Sequence, residues 1–198
     1  MSLAVVNSGG ANISSVLHAL RRLGTEPKFT ADAGVIRAAD RVILPGVGAA
    51  GSAMDTLRSY GLTAVIPKLT QPVLGICLGM QLLFESSAED ETKLLGLIPA
   101  RLELLPGGQG LRVPHMGWNA ISNTRPDALT SRLDGKWFYF VHSYAAPVGN
   151  WTLSTSRHGQ TFSAIVRRNN FYGAQFHPER SAKAGAELLR GFLEASSI

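Results

Sequence analysis

The chain carries one cysteine, Cys77, and it stands between Gly75 and Gly79 in the run PVLGICLGMQLLF, residues 72–84. Pro72–Ile76 has the length and apolarity of a buried strand, and Leu78 to Phe84 suits a helix. A strand, a sharp turn bearing a nucleophile and then a helix make a nucleophile elbow, here G-x-C-x-G in place of G-x-S-x-G. A side chain at either glycine would crowd a turn that holds Cys77 in a strained conformation. The Leu78 N–H opens the helix and can point at an oxyanion, and the helix N-terminus favours the thiolate. A lone cysteine is by itself more often a buried structural residue, so the reading depends on finding a base and an oxyanion hole elsewhere in the chain.

Five histidines are candidates for the base: His18, His115, His142, His158 and His177. His18 falls in the middle of a helical pattern and His158 beside a turn glycine, which makes both simplest as surface residues. His177 follows the apolar segment Phe171–Phe176, is held extended by Pro178, and has Glu179 two residues on. In extended backbone these two side chains point the same way. A carboxylate beside the imidazole would orient it and stabilise the imidazolium, as the acid of a catalytic triad does. A histidine at the carboxyl end of a strand also lies where α/β sheets carry their active sites. For the oxyanion, Pro45-Gly46-Val47-Gly48 ends another apolar strand and carries no bulky obstruction, so its amides can complement that of Leu78.

The elements that must position these residues follow from the hydrophobic pattern. Leu3–Val6, Pro27–Thr30 and Arg41–Leu44 read as short strands. Asn12 can cap a helix to about Leu23, with Ile13, Val16, Leu17 and Leu20 as its apolar face. A helix from the PGVG loop to about Tyr60 and a short helical piece over Leu62–Leu69 precede the elbow. This alternation predicts a mostly parallel sheet flanked by helices. After a polar loop, Ser86–Thr92, strand-like segments dominate: Ala100–Leu104, Val113–Ile121, Trp137–Tyr144, Trp151–Ser156, Phe162–Arg167 and Phe171–Phe176. They predict an extension of the same sheet together with a small antiparallel layer. Ser181 then caps a last helix to Leu193. No linker or internal repeat interrupts the pattern, and residues 1–198 read as one domain.

Bulk properties narrow the setting. The chain has 198 residues, 45% of them hydrophobic and 17% charged, ordinary for a globular protein. A single cysteine excludes an internal disulfide and fits a reducing compartment. No apolar run approaches the ~20 residues of a membrane span, and the first residues lack the pattern of a signal peptide, so a cytoplasmic location with no membrane contact is expected. The formal charge of +5 comes from scattered basic residues without a stripe or interleaved aromatics, which argues against nucleic acid. The Cys and His residues have no metal-ligand spacing, so neither metal nor organic cofactor is expected.

GICLGMQ around Cys77, PGVG at 45–48 and QFHPE at 175–179 together resemble the class I (triad) glutamine amidotransferases. The resemblance implies that family's single-domain α/β fold and hydrolysis of glutamine to glutamate and ammonia through a cysteinyl thioester. Cys77 would be the nucleophile, His177 the acid and base, and Glu179 its orienter. Gly46, Val47, Gly48 and Leu78 would serve the oxyanion and substrate, with Gln81 holding glutamine one helical turn after Cys77 and Ser143 and Tyr144 lining the site. PHMGWN at 114–119 and YFVHSY at 139–144 are similar, within that family, to glutaminases that work as a heterodimer with a (β/α)8-barrel cyclase in histidine biosynthesis. By that likeness Asn12, Trp118, Asn119, Tyr139 and Arg180 would face the cyclase, and an exposed tryptophan suits an interface anchor. The likeness also implies weak glutaminase activity until the partner binds, through a PGVG amide that is misaimed in the free chain. The first loop departs from the family pattern, reading Asn7-Ser8-Gly9-Gly10-Ala11-Asn12 where an Asp-Tyr-Gly-x-Gly-Asn-like segment is common.

Three other readings compete. A glutaminase of anthranilate or pyridoxal phosphate synthesis lacks the PHMGWN segment. A non-catalytic module would have no need of Cys77, His177 and Glu179 together. A cysteine peptidase of related topology fits Gln81 and the PGVG loop less well than a small amide does.

Overall fold

β1 (Leu3–Val6) is buried along its whole length, and its side chains split between two cores. Leu3 and Val5 pack into one, Ala4 and Val6 into the other, as alternation across a strand requires. The structure is a computed structural model that describes residues 1–10, 13–108 and 110–194. After β1 come α1 (Ile13–Arg22), β2 (Lys28–Thr30), α2 (Ala33–Ala38), β3 (Arg41–Gly46) and α3 (Ala50–Ser59). Two 3-10 turns, Leu62–Ala64 and Ile66–Lys68, lead to β4 (Val73–Cys77) and α4 (Leu78–Gln81). Asp32 caps α2 by accepting the Val35 N–H, a six-residue helix too short for the hydrophobic period to single out. Asn12, the expected cap of α1, lies outside the described residues.

β5 (Phe84–Ser87), a 3-10 turn (Glu89–Glu91), β6 (Thr92–Lys93) and β7 (Ile98–Leu104) follow, then β8 (His115–Ala120), β9 (Ser122–Asn123), β10 (Trp137–His142) and β11 (Tyr144–Ala145). The chain closes with the hairpin β12 (Thr152–His158) and β13 (Gln160–Arg168), β14 (Phe171–Ala174), a 3-10 turn (Pro178–Arg180) and α5 (Ala182–Glu194). The main sheet has eight strands in the order β2-β1-β3-β4-β14-β13-β12-β9. Its first five strands are parallel, and β13, β12 and β9 extend it in antiparallel fashion. The side chains of α1 and α5 fill the core on one face of the sheet and those of α2 and α3 the core on the other. Buried on both faces, the central strands read as continuous apolar runs. The expected α/β fold is therefore present, and no helix among the described residues is long and apolar enough to cross a membrane.

The expected small antiparallel layer is the β8–β10 pair, and a four-stranded sheet, β11-β7-β5-β6, in which β5 and β7 run parallel, stands in addition to it. One expectation changes in detail. The helix after Cys77 is a single turn and does not reach Phe84. The carbonyls of Leu82, Leu83 and Phe84 accept from the amides of Leu95, Ile98 and Gly96, and Phe84 is fully buried in the second core. Sheet pairing and burial outweigh the helix preference of the leucines.

Two backbones pack closely where the elbow meets β3. A Cβ on Gly79 would fall inside the van der Waals envelope of the Leu44 carbonyl, and one on Gly75 would lie 2.5 Å from the Gly79 carbonyl oxygen. The glycines are therefore required for the approach of two backbones, as well as for the turn itself. Gly79→Ala should lower unfolding free energy in urea by about 3 kcal/mol or more, beyond ordinary overpacking. Gly108→Ala, where an added Cβ meets nothing within 4 Å, should change it by less than about 0.5 kcal/mol.

Candidate active site

Cys77 ends β4 with φ 53° and ψ −112°, a conformation that costs a non-glycine residue on the order of 1–3 kcal/mol. The surrounding backbone enforces it: in the parallel β3–β4 pair Gly46 is level with Cys77, and a Cβ on Gly46 would press on Gly79 N and Leu78 Cβ. The PGVG loop thus leaves its strand at the height of the nucleophile. Leu78 is the first residue of α4, so its N–H has no partner within the helix. Because α4 is only one turn long, its dipole is small, and stabilisation of a thiolate falls mainly to a neighbouring charge.

That charge is His177. Its N–H donates to the Tyr139 carbonyl at 2.9 Å, and its own carbonyl accepts from the Ser181 hydroxyl at 2.6 Å. Ser181 Oγ in turn accepts the Tyr139 N–H at 3.0 Å. The expected helix cap is therefore spent on tying the His177 segment to β10. His177 Nδ1–H donates to Glu179 Oε1 at 2.7 Å, with both side chains almost fully buried. His177 is extended as expected, but Glu179 comes back to it through the 3-10 turn Pro178–Arg180 and not by alternation along a strand. With Nδ1 committed, Nε2 serves Cys77. Burial alone would lower the imidazole pKa, but the hydrogen bonds and charges of Cys77 and Glu179 outweigh it and raise it to about 10. The Cys77 thiol also reaches the Val141 carbonyl, Sγ to O 3.7 Å.

These groups open on a cavity of about 280 Å³ lined by Val47, Gly48, Cys77, Leu78, Gln81, Ser143, Tyr144 and His177, together with Glu89, Pro114, Val141 and His142. It falls near the lower end of the ~300–1,000 Å³ typical of small-ligand sites. Gln81 Nε2 donates to the Tyr144 carbonyl at 2.9 Å and to Gln175 Oε1 at 3.1 Å, which leaves its own carbonyl oxygen as the acceptor for a ligand. Gly46 does not line this cavity and serves as the spacer behind the turn. A smaller space of about 20 Å³, lined by Gly9, Gly10, Gly46, Val47, His177 and Glu179, lies between the triad and the first loop. A Cβ on Gly10 would come 2.9 Å from the Val47 carbonyl oxygen, so the first loop and the PGVG loop touch.

Sequence reasoning passes over Glu89 and His142. Glu89, placed in a loop by its polar neighbours, lines the cavity and accepts the Ala50 N–H at 2.8 Å, so it caps α3 where the PGVG loop ends. An acidic run, Glu89-Asp90-Glu91, was the only local signal, and it does not say which carboxylate turns inward. His158, expected at the surface, instead stacks on His115 with ring centroids 4.2 Å apart. Among the described residues, no group of three or more His, Cys, Asp or Glu could hold a metal ion.

Trp118, Tyr139 and Arg180 gather outside the site: Trp118 packs edge-on against Tyr139 at 6.0 Å, and the Arg180 guanidinium lies 5.3 Å from the Tyr139 ring centre. Met116 at 63% exposure, Trp118 at 49% and Trp137 at 58% make this face of the β8–β10 pair apolar and open. Asn119 spends its amide on the Arg157 carbonyl and the Ala120 N–H.

Acyl transfer to a cysteine thiolate is the chemistry that a strained thiol, an imidazolium and two sets of backbone donors support. The chain belongs to the family described as Glutamine amidotransferase class-I, whose model matches residues 4–195. It is similar to the imidazole glycerol phosphate synthase subunit HisH of Xanthomonas axonopodis pv. citri, 49% identical over 195 residues and 98% of each chain. The same-named protein of Xylella fastidiosa (strain Temecula1) is 49% identical over 193 residues, 97% of this chain and 96% of its own. A crystal structure of a glutamine amidotransferase superposes with a TM-score of 0.76 at 22% identity, covering 98% of both chains, and shows the shared fold.

Because the folded pKa of His177 is raised, the stabilisation it draws from its partners is complete below its ordinary value near 6.5 and lost as pH rises through about 10. Glutamine kcat/KM should accordingly keep a His177-dependent limb at alkaline pH, and Glu179→Gln should move that limb toward neutrality. A rate–pH profile of both proteins checks this, and a limb that stays in place would show that Glu179 does not hold the imidazolium.

Proposed function

We propose that the protein is the glutaminase subunit of an imidazole glycerol phosphate synthase. It hydrolyses glutamine and passes ammonia to a (β/α)8-barrel cyclase subunit that makes imidazole glycerol phosphate and an aminoimidazole carboxamide ribotide in histidine biosynthesis. The observation that carries the chemistry is the 2.7 Å His177–Glu179 hydrogen bond placed at the strained Cys77. The near-full-length similarity to HisH subunits supports the pathway, and the reduced lone cysteine suits the cytoplasm.

In this reading the Cys77 thiolate attacks the amide carbon of glutamine, and the oxyanion is held by N–H groups of Leu78 and the PGVG loop. Collapse breaks the C–N bond while His177 Nε2–H protonates the departing nitrogen, releasing ammonia and leaving a glutamyl thioester. The now neutral His177 takes a proton from water, the hydroxide adds to the thioester, and the thiolate leaves with glutamate as product. Gln81 Oε1 and the Glu89 carboxylate are the acceptors suited to the α-ammonium group of the substrate, and Ser143 and Tyr144 shape the wall. The open face around Trp118, Tyr139 and Arg180 is the proposed cyclase contact, and family likeness adds Asn119 and, outside the described residues, Asn12 to the contacting set. Contact between Gly10 and the Val47 carbonyl gives docking at the first loop a route to the PGVG amides.

Incubation with glutamine, with and without a cyclase subunit and its nucleotide ligand, should release glutamate, faster in the complex. Absence of glutamate under every condition would sink the reading, and stimulation by a different synthase would redirect the pathway. Cys77→Ala should lower glutamate release by about 10³-fold or more, yet leave complex formation and ammonia-driven synthesis intact.

A further inference from the structure

From His142 in the wall of the proposed glutamine pocket, a set of imidazoles that the mechanism does not use runs back into the fold. His142 Nδ1 is 2.9 Å from the Tyr144 carbonyl, its Nε2 is 3.1 Å from His115 Nδ1, and His115 stacks on His158, whose Nε2 is 2.8 Å from the Arg112 carbonyl. Both carbonyls can only accept, and this orders the protons. His142 must carry its proton on Nδ1, so its Nε2 is bare and accepts from Nδ1–H of His115. Both rings are buried. Burial, with the charge of His158, lowers His115 to about 4; burial, opposed by the Tyr144 carbonyl and joined by the charges of His115, His158 and His177, lowers His142 to about 3. Near neutral pH both are uncharged, and each has one donor and one acceptor to place.

The order matters because of what else meets the Tyr144 carbonyl. The same oxygen accepts from Gln81 Nε2 at 2.9 Å. Two donors, one from His142 and one from Gln81, hold it in place. An amide can turn over by 180° at little cost in shape, but the Tyr144 carbonyl can only accept and so demands the NH₂ end of Gln81, which also donates to Gln175 Oε1. The oxygen of Gln81 therefore faces the cavity. If His142 took its other tautomer, its bare Nδ1 would face the Tyr144 oxygen, acceptor against acceptor, and the carbonyl that orients Gln81 would be displaced.

We propose that His115 is a positioning residue for glutamine: by donating to the Nε2 that the Tyr144 carbonyl leaves bare on His142, it holds the His142 ring against that carbonyl and so keeps the carbonyl where it orients the Gln81 amide. His115 itself does not line the cavity. The role rests on the glutaminase reading given above and adds to it a determinant of substrate affinity linked to the Gln81 amide through three hydrogen bonds.

Two variants separate the hydrogen bond from packing. His115→Phe keeps an aromatic ring to stack on Phe140 and His158 but loses the donor. His115→Asn loses the ring but places an amide N–H where Nδ1 was. In the complex with cyclase, His115→Phe should raise KM for glutamine by about tenfold with kcat within about twofold, and His115→Asn should restore most of the affinity. A purely structural role predicts the reverse order, with the ring-keeping variant the better enzyme. ¹⁵N NMR of the imidazoles should show the His142 Nε2 resonance of a hydrogen-bonded acceptor in the wild-type and His115→Asn proteins, and that of an unpaired nitrogen in His115→Phe. A His142 Nε2 resonance or a KM left unchanged in His115→Phe would overturn the proposal. Failure of the wild-type protein to release glutamate would instead refute the glutaminase reading, while the Nε2 resonance would still decide whether His115 donates to His142.

Discussion

The structure depends on how closely the turn after β4 lies against β3. Leu44 and Gly79 are in backbone contact where no side chain fits between them, and this seats Cys77 level with Gly46 in the register of the two strands. Everything the site needs follows from that seating. The thiol projects from the carboxyl edge of a parallel sheet, the free N–H of Leu78 comes next in the chain, and the PGVG loop departs alongside it. The strain at Cys77 is sustained because buried strands on both sides, β3 and β14, hold β4 in register.

The same economy of space governs the base. His177 and Glu179 are buried together beside the cysteine, where an unpaired charge would be costly. Their hydrogen bond and the neighbouring thiol reverse the effect of burial, keeping the imidazole charged at neutral pH. His115 and His142, equally buried but without a carboxylate, go the other way and are neutral. Two kinds of histidine in one fold thus take opposite protonation states for one reason, the presence or absence of a nearby negative partner. The charged one is placed for proton transfer, and the neutral pair is placed to order hydrogen bonds.

Much of this was legible from residue types. The G-x-C-x-G spacing, the His-Pro-Glu segment and the PGVG loop each have a local physical rationale, and the structure brings all three to one cavity. The hydrophobic runs of β1, β3 and β4 announced a parallel sheet because central strands have no polar face. Ser181 was misread as a cap, since a serine before a helix looks the same whether its hydroxyl turns to the helix or to a neighbouring strand. The helix after Cys77 was read too long, because Leu82, Leu83 and Phe84 prefer a helix locally and join a sheet only when Leu95, Gly96 and Ile98 come alongside. Glu89 was indistinguishable from its acidic neighbours, and His115, His142 and His158 were separate residues until folding stacked them.

The amino-acid sequence by itself determined the class of fold and singled out the candidate thiol and its candidate base, because glycine spacing, proline placement and strand-length apolar runs act over a few residues. The tertiary structure alone decided how Glu179 returns to His177, which carboxylate reaches the pocket, and which way Gln81 faces. Those outcomes depend on hydrogen bonds between residues 39 to 94 positions apart, and no local pattern encodes which partner a buried donor will find. At Cys77 the two levels meet: the glycines permit the turn, and the carbonyl of Leu44 makes them necessary.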